Sequence, residues 1–199
     1  SIAPRELVDK SPSYALDPAA LQHAEEIFEN AFFIHLARHP YEAITSFAER
    51  RMDQVYLPAN DLTPREAGEA VWQIAHQNIL DFLATIPTER QAYIRFTDLV
   101  SQPREEMEKL CAALNITFDP ALLDPYKKAP VANADNFDDP NFLKRSTIDA
   151  SKVEAWRGVE KDNFLSRGTW ALAEKLGYEK PATPPNTPDS SNVPEGHEK

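Results

Sequence analysis

The sequence contains little cysteine, little glycine and no long apolar run. All five glycines lie at or after Gly68, so the first 67 residues contain no glycine-rich phosphate loop. The one cysteine, Cys111, excludes an intrachain disulfide and is typical of a buried thiol in a reducing compartment. None of the apolar stretches approaches the roughly 20 residues of a membrane-spanning helix. We therefore expect a cytoplasmic protein with no membrane partner.

An excess of basic residues is absent as well. Asp and Glu number 32 against 21 Lys and Arg, which gives a formal net charge of −11. This argues against nucleic acid as a partner, because nucleic-acid-binding surfaces are usually basic. A few local Arg and Lys residues can still bind a small anion within an acidic protein. The five histidines and one cysteine show no metal-ligand spacing, so we predict no metal site.

The overall composition is that of one globular domain with a tail. Hydrophobic residues make up 42% and charged residues 27% of the 199 residues, and both values are ordinary for a domain with its own core. Residues 180–199 are rich in proline, serine and threonine, which predicts a disordered linker or tail. We therefore assign residues 1–179 to the domain.

Hydrophobic periodicity and capping residues predict alternating strands and helices. Apolar runs indicate strands over 6–9, 32–37 and 93–96. Asp17 suits the N-cap of one helix, and Thr63 and Glu66 have the spacing of a capping box for another, running to about residue 85. The other predicted helices cover 41–53, 103–114, 151–156 and 166–176. This alternation predicts an α/β fold with a parallel sheet.

One junction between a strand and a helix has the chemistry of an anion site. The apolar strand is followed by Arg38, and Pro40 suits the first turn of the next helix. A helix start offers unpaired backbone N–H groups and partial positive charge, and Arg38 adds a planar fork of donors. Ser46 lies about two turns along the same helix. Alternatively, Arg38 pairs with a neighbouring carboxylate and Ser46 bonds back to its own helix.

An Arg at the end of a strand, with a Ser eight positions later on the next helix, resembles the 3′-phosphate-binding element of sulfotransferases. These enzymes use 3′-phosphoadenosine 5′-phosphosulfate, PAPS. Residues 8–14 (VDKSPSY) resemble a second element of the family, K-[ST]-P-x-Y, and residues 86–103 resemble its next strand and turn. The resemblance spans roughly residues 5–178. It implies a three-layer, P-loop-like parallel sheet flanked by helices.

The resemblance implies roles for particular residues. Arg38 and Ser46 would bind the 3′-phosphate of PAPS. Lys10 would be catalytic, because a positioned ammonium stabilises the negative charge that spreads over the transferred group. Ser11 and Tyr14 would shape the substrate pocket. The alternative for Lys10 is a solvated side chain beside a turn.

Two later segments also resemble parts of the family. Arg157 and Gly158 match a basic segment that reaches over the 3′-phosphate, so they are candidate cofactor-binding residues. Residues 138–149 resemble an acceptor-side loop that often carries a histidine near the position of Arg145. Arg145 therefore puts a histidine-based acid/base role for this loop in doubt, although it can attract a negatively charged substrate. Solvated loop charge is the alternative.

Three of the histidines lie close to the predicted site, and their expected roles differ. His35 lies within the apolar strand and His39 follows Arg38, and we expect structural roles for both. His76 falls four residues after Trp72 on a helix, so the two side chains share a face. That face either lines the acceptor cleft, which makes His76 a candidate substrate-binding residue, or packs in the core.

The resemblance also implies what the whole protein does. We expect a C-terminal portion of a sulfotransferase domain, without its first strand and phosphosulfate loop, and itself inactive. The segments at 9–12 and 33–41 are similar to sulfotransferase domains of modular polyketide synthases. There the acceptor is a β-hydroxyacyl chain on an acyl carrier protein, and sulfation primes release as a terminal alkene. The alternatives are a stand-alone sulfotransferase on a sugar or small alcohol, a non-catalytic nucleotide-binding or carrier-docking remnant, and a P-loop kinase.

Overall fold

The structure is a computed structural model that describes residues 7–58, 61–125, 148 and 164–180. Several sequence predictions therefore lie outside the described residues. They are the helix over 151–156, the tail from residue 181 onward, and the candidate site residues Arg145, Arg157 and Gly158.

Within the described residues, two strands and seven α-helices follow one another along the chain. The strands are β1 (Phe33–Ala37) and β2 (Gln91–Arg95). The helices are α1 (Pro18–Ile27), α2 (Pro40–Glu49), α3 (Asp53–Tyr56), α4 (Pro64–Leu83), α5 (Phe96–Ser101), α6 (Pro103–Ala113) and α7 (Arg167–Lys175). Short 3₁₀ turns cover Pro12–Leu16, Thr88–Arg90 and Pro120–Leu123.

The two strands pair in parallel, which confirms the predicted α/β class. The register runs from Phe33 opposite Gln91 to Ala37 opposite Arg95. Because both strands point the same way and end together, the residues that follow them emerge side by side at one edge of the sheet. That edge carries Arg38, the main candidate from the sequence.

Helices lie against both faces of this sheet. The face that carries His35 packs on α4, and a buried hydrogen bond joins His35 to His76 of that helix. On the opposite face Ile94 is buried, and α6 also contacts β2. Ile34 and Leu36 share that opposite face and are about half exposed.

The main core lies beneath the carboxyl end of β1. It joins Ala37 to side chains of α2, α4 and the segment around α7, and its largest fully buried members include Tyr41, Ile44 and Leu176. A smaller cluster of Leu21, Phe82 and Ile86 lies toward the other end of the sheet. The larger of the two described clusters therefore lies behind the end of β1 that carries Arg38.

Local capping explains where the helices begin. The Asp17 side chain accepts a hydrogen bond from the N–H of Ala19 at 2.9 Å at the start of α1. Thr63 and Glu66 form both halves of the predicted capping box at the start of α4. α2 begins at Pro40, which suits a first-turn position because its missing N–H would have no helical partner.

Three boundaries differ from the sequence prediction. Residues 7–9 form no strand. The helix predicted over 41–53 ends at Glu49, because Arg51 takes a left-handed conformation with φ of 52°, and α3 is separate. β2 ends at Arg95 because α5 begins at Phe96, directly after the strand.

Candidate anion-binding site

Arg38 is the first residue after β1, and its backbone is held from two sides. The indole N–H of Trp72 on α4 donates to the Arg38 carbonyl oxygen at 3.3 Å. The hydroxyl of Tyr178, which follows α7, donates to the neighbouring carbonyl of Ala37 at 2.9 Å. Trp72 and Tyr178, both distant in sequence, therefore fix the backbone position of Arg38 at the end of β1.

The Arg38 guanidinium contacts Glu42 along one edge of its plane and Phe96 across one face of that plane. Its Nε donates to Oε2 of Glu42 at 2.9 Å, and its central carbon lies 5.0 Å from the centre of the Phe96 ring. The side chain remains 39% exposed. Among the described residues its two terminal nitrogens donate no hydrogen bond. An anchored fork with free donors fits a phosphate or carboxylate group.

The structure shows the alternative given for Arg38, an ion pair with a neighbouring carboxylate, although sequence reasoning did not name Glu42 as the partner. An acidic residue four positions after an Arg indicates an ion pair at helical spacing. The two partners differ in exposure, because the Glu42 side chain is only 2% exposed whereas that of Arg38 is 39% exposed. Its second oxygen, Oε1, is buried without a hydrogen-bond partner among the described residues. The carboxylate therefore depends on Arg38 for compensation.

The start of α2 contributes less to the site than the sequence suggested. Pro40 has no N–H, the N–H of Tyr41 donates to Nδ1 of His39 at 3.3 Å, and the N–H of Ala43 donates to the His39 carbonyl at 3.0 Å. Pro40 and Tyr41 are also buried. Two of the three first-turn residues of α2 therefore offer no free N–H, and the Arg38 side chain contributes more donors than this turn does.

Ser46 lies on α2, four residues after Glu42, so both side chains project from the same side of the helix. The residue is half-buried, and its hydroxyl has no hydrogen-bond partner among the described residues. The alternative reading, in which this hydroxyl bonds back to its own helix, is not what the structure shows. Ser46 is therefore available to a ligand that reaches along α2 from Arg38.

The segment around Lys10 lies on another part of α4. The Pro12–Leu16 turn is attached to that helix by Asn78, whose side-chain amide donates to the Ala15 carbonyl at 3.0 Å. Lys10 is exposed.

Ser11 and Tyr14 differ in their local contacts. The Ser11 hydroxyl donates to the carboxylate of Asp9 at 2.9 Å. Tyr14 is 38% exposed. Direct contacts join Arg38 to Glu42 and Phe96, whereas no described hydrogen bond, ion pair or ring contact joins it to Lys10, Ser11 or Tyr14.

His35 and His76 form a buried pair behind the site. His35 Nε2 and His76 Nδ1 lie 2.8 Å apart. Burial lowers the pKa of His35 to about 4, and burial together with the neighbouring His35 lowers the pKa of His76 to about 3. Trp72 packs edge-on against His76 with ring centres 4.5 Å apart. The expected structural role of His35 is confirmed, and His76 shares the buried face.

Within 7–58, 61–125 and 164–180, no group of three or more His, Cys, Asp or Glu side chains is placed to hold a metal ion. In the same part of the chain, every helix is too short or too polar to cross a bilayer.

The sequence and this arrangement together define the class of protein. The model of the sulfotransferase family matches residues 2–120, and the chain belongs to that family. No curated protein matches the chain in sequence.

Two solved structures are similar to the chain. A sulfotransferase domain from the curacin biosynthetic pathway is 40% identical, with a TM-score of 0.83 over 90% of this chain and 65% of that one. A sulfotransferase domain from the Synechococcus PCC 7002 olefin synthase is 38% identical, with a TM-score of 0.78 over 89% and 60%. The chain thus spans less than two thirds of the length of either domain.

Proposed function

We propose that this chain is part of an enzyme that transfers a sulfuryl group from PAPS to an acceptor hydroxyl, and that Arg38 and Ser46 bind the 3′-phosphate of the nucleotide. Family membership supports the reaction class. The single observation that carries the site assignment is the Arg38 guanidinium, which is anchored at Nε while its terminal nitrogens remain free among the described residues.

The residues present fit an anionic nucleotide. Charge-assisted hydrogen bonds from a planar fork match phosphate oxygens in two places at once. The Phe96 ring covers one face of the guanidinium and limits its hydration, which strengthens its pairing with an anion. Bound PAPS supplies the activated sulfuryl group, and the chain supplies the groups that hold the nucleotide.

The remaining candidates keep their proposed roles. Lys10 stabilises the charge of the transferred group, and Ser11 and Tyr14 contact the acceptor, with the exposure that such roles require. His76 is buried and bonded to His35, so its proposed role on the acceptor side is to support the cleft from the core and not to contact the acceptor. Arg157 and Gly158 are proposed for the nucleotide, and Arg145 for the acceptor. A group outside these residues takes the proton from the acceptor hydroxyl.

The proposed acceptor is a β-hydroxyacyl chain on an acyl carrier protein. Both similar structures come from pathways named for curacin and an olefin synthase, which supports a polyketide-type substrate over a free sugar or small alcohol.

The second candidate function is nucleotide binding without transfer. It rests on the same Arg38 guanidinium, which can bind a phosphate whether or not transfer follows.

Calorimetric titration with 3′,5′-bisphosphoadenosine tests the site. We expect Arg38→Ala to weaken binding at least tenfold, because a charge-assisted hydrogen bond contributes about 1.5–3 kcal/mol. Arg104→Ala is the matched control: Arg104 also pairs with a glutamate four residues on, Glu108 at 3.1 Å, but on an exposed helix face. Its removal should leave the affinity unchanged.

Equal affinity in the Arg38 variant and the wild-type chain would contradict the phosphate assignment. A competition experiment addresses the reaction class. ATP that displaces 3′,5′-bisphosphoadenosine at equal concentration would favour a kinase over a sulfotransferase, because ATP lacks the 3′-phosphate that Arg38 is proposed to bind.

A further inference from the structure

We propose that Glu42 is a positioning residue for anion binding, which fixes the Arg38 guanidinium so that its two terminal nitrogens face the ligand. The inference rests on the proposed 3′-phosphate site at Arg38 and adds a second residue to it. Glu42 acts through Arg38 and does not touch the ligand.

The geometry explains how one contact orients the whole group. A guanidinium carries five N–H donors in a rigid plane, so fixing the direction of one fixes the other four. Oε2 of Glu42 receives the Nε donor at 2.9 Å. Phe96, the first residue after β2, lies beneath the guanidinium at 5.0 Å from its ring centre. With one edge and one face held, the remaining donors point away from the protein contacts.

The burial of Glu42 indicates that it does more than stabilise α2. Burying a carboxylate is unfavourable unless it is well paired, and an apolar side chain of similar size often stabilises a fold equally well. Yet the Glu42 side chain is 2% exposed, and its partner is 39% exposed. A rigid buried acceptor beneath a half-exposed donor is an arrangement that orients the donor toward solvent or ligand.

The comparison with a similar pair shows what is special here. Arg104 and Glu108 have the same four-residue spacing and a 3.1 Å contact, but their side chains are 59% and 50% exposed. An exposed pair of this kind is screened by water, and its members are loosely held. Arg51 also pairs with a buried carboxylate, that of Asp53, but it does so through both Nε and a terminal nitrogen. Arg38 differs because Glu42 takes only its Nε, which leaves both terminal nitrogens for a ligand.

Charge alone predicts the opposite result from orientation. A carboxylate beside an anion site repels the ligand, so its removal should tighten binding. Loss of orientation should instead weaken binding, because the free guanidinium must be ordered when the ligand arrives. The sign of the change in affinity therefore decides between the two roles.

The test measures binding of 3′,5′-bisphosphoadenosine and of 5′-AMP, which lacks the 3′-phosphate, to the full chain and its variants. We expect Glu42→Ala to weaken binding of the bisphosphate about tenfold. Glu42→Gln keeps an oxygen acceptor for Nε and should stay within about threefold of the wild-type affinity. Affinity for 5′-AMP should not change, and Glu108→Ala should match the wild-type chain.

A charge-conserving variant keeps the test decisive if Glu42→Ala does not fold. Glu42→Asp retains the charge but is one methylene too short to reach Nε, so it should also weaken binding of the bisphosphate. Unchanged or tighter binding in Glu42→Ala or Glu42→Asp would overturn the inference.

A ligand-free measurement separates failure of this inference from failure of the proposed function. The Arg38 Nε–H resonance, assigned in ¹H–¹⁵N spectra by its absence in Arg38→Ala, should exchange slowly in the wild-type chain and in Glu42→Gln. It should exchange rapidly in Glu42→Ala. A wild-type chain that binds no bisphosphate contradicts the proposed function, whereas a rapidly exchanging wild-type resonance contradicts the role of Glu42.

Discussion

His35 on β1 and His76 on α4 share a hydrogen bond of 2.8 Å between Nε2 and Nδ1. The two residues are 3% and 8% exposed. One ring must donate and the other must accept, so the bond between two neutral rings fails when both carry a proton on each nitrogen. This pair links β1 to α4, the longest helix of the described residues, and it should make stability depend on pH.

We expect stability to fall as the pH drops below about 6.5. The folded-state pKa values, about 4 for His35 and about 3 for His76, lie below the ordinary value of 6.5. The unfolded chain therefore takes up protons between pH 6.5 and 4 that the folded chain does not. The free energy of unfolding should decrease by up to about 1.4 kcal/mol per pH unit for each histidine. Denaturant unfolding between pH 7.5 and 4.5 measures this slope.

A variant of one partner isolates the contribution of the pair. Asn places a polar atom near the position of Nδ1, so His76→Asn can keep the bond to His35 without titrating. The slope between pH 6.5 and 4 should become shallower. His23→Asn is the control, because that side chain is 69% exposed. An equal slope in the wild-type and His76→Asn proteins would show that the pair does not control the pH response.

Local chemistry allowed most helix starts to be predicted from the sequence. The cap at Asp17, the capping box of Thr63 and Glu66 and the first-turn Pro40 each depend on residues within four positions of one another. The strand before Arg38 was equally clear, because five mostly apolar residues precede a turn. The apolar strand and the first-turn proline were therefore enough to predict the positions of Arg38 at the end of β1 and of Ser46 on α2.

The end of α2 and the long-range contacts around the site had no comparable local signal in the sequence. α2 ends where Arg51 adopts a left-handed conformation that glycine or asparagine would have indicated. The contact of Arg38 with Phe96 depends on the parallel register of β1 and β2, and the bond of His35 to His76 joins residues 41 positions apart. Register and packing are properties of the folded chain, so the sequence predicted Arg38 but not its neighbours.

Gly177 should be intolerant of substitution. It follows α7 with φ of 74°, and the N–H of Tyr178 then reaches back to the Ala173 carbonyl at 3.0 Å, which closes the helix. Gly177→Ala should lower the free energy of unfolding by about 1–2 kcal/mol, because a side chain disfavours this conformation. The turn also carries Tyr178 to the end of β1, so the loss affects the support behind Arg38.

Gly168 provides the matched control on the same helix. A Cβ there would lie 3.5 Å from Oε1 of Gln73, an ordinary contact. Gly168→Ala should therefore leave stability unchanged or raise it by up to about 1 kcal/mol. Denaturant unfolding of both variants measures the difference. Equal effects at the two positions would mean that the backbone at Gly177 relaxes without strain.

Gly68 should be required for the close packing of α4 against α2. A Cβ at this position would lie 2.9 Å from Cδ1 of Phe47, closer than carbon atoms approach without a shift. Gly68→Ala gains helix propensity of up to about 1 kcal/mol, but crowding in a packed site typically costs about 1–3 kcal/mol. We therefore expect a net loss of stability, measured by denaturant unfolding.

A double-mutant cycle identifies the cause of that loss. Phe47→Leu removes the ring that the new methyl group would strike, so Gly68→Ala should be less harmful, or even stabilising, in the Phe47→Leu background. Phe47 follows Ser46 on α2, and relief of this clash should also restore the position of Ser46. If the two substitutions have additive effects, contact with Phe47 is not what excludes a side chain at Gly68, because crowded neighbours must show coupling.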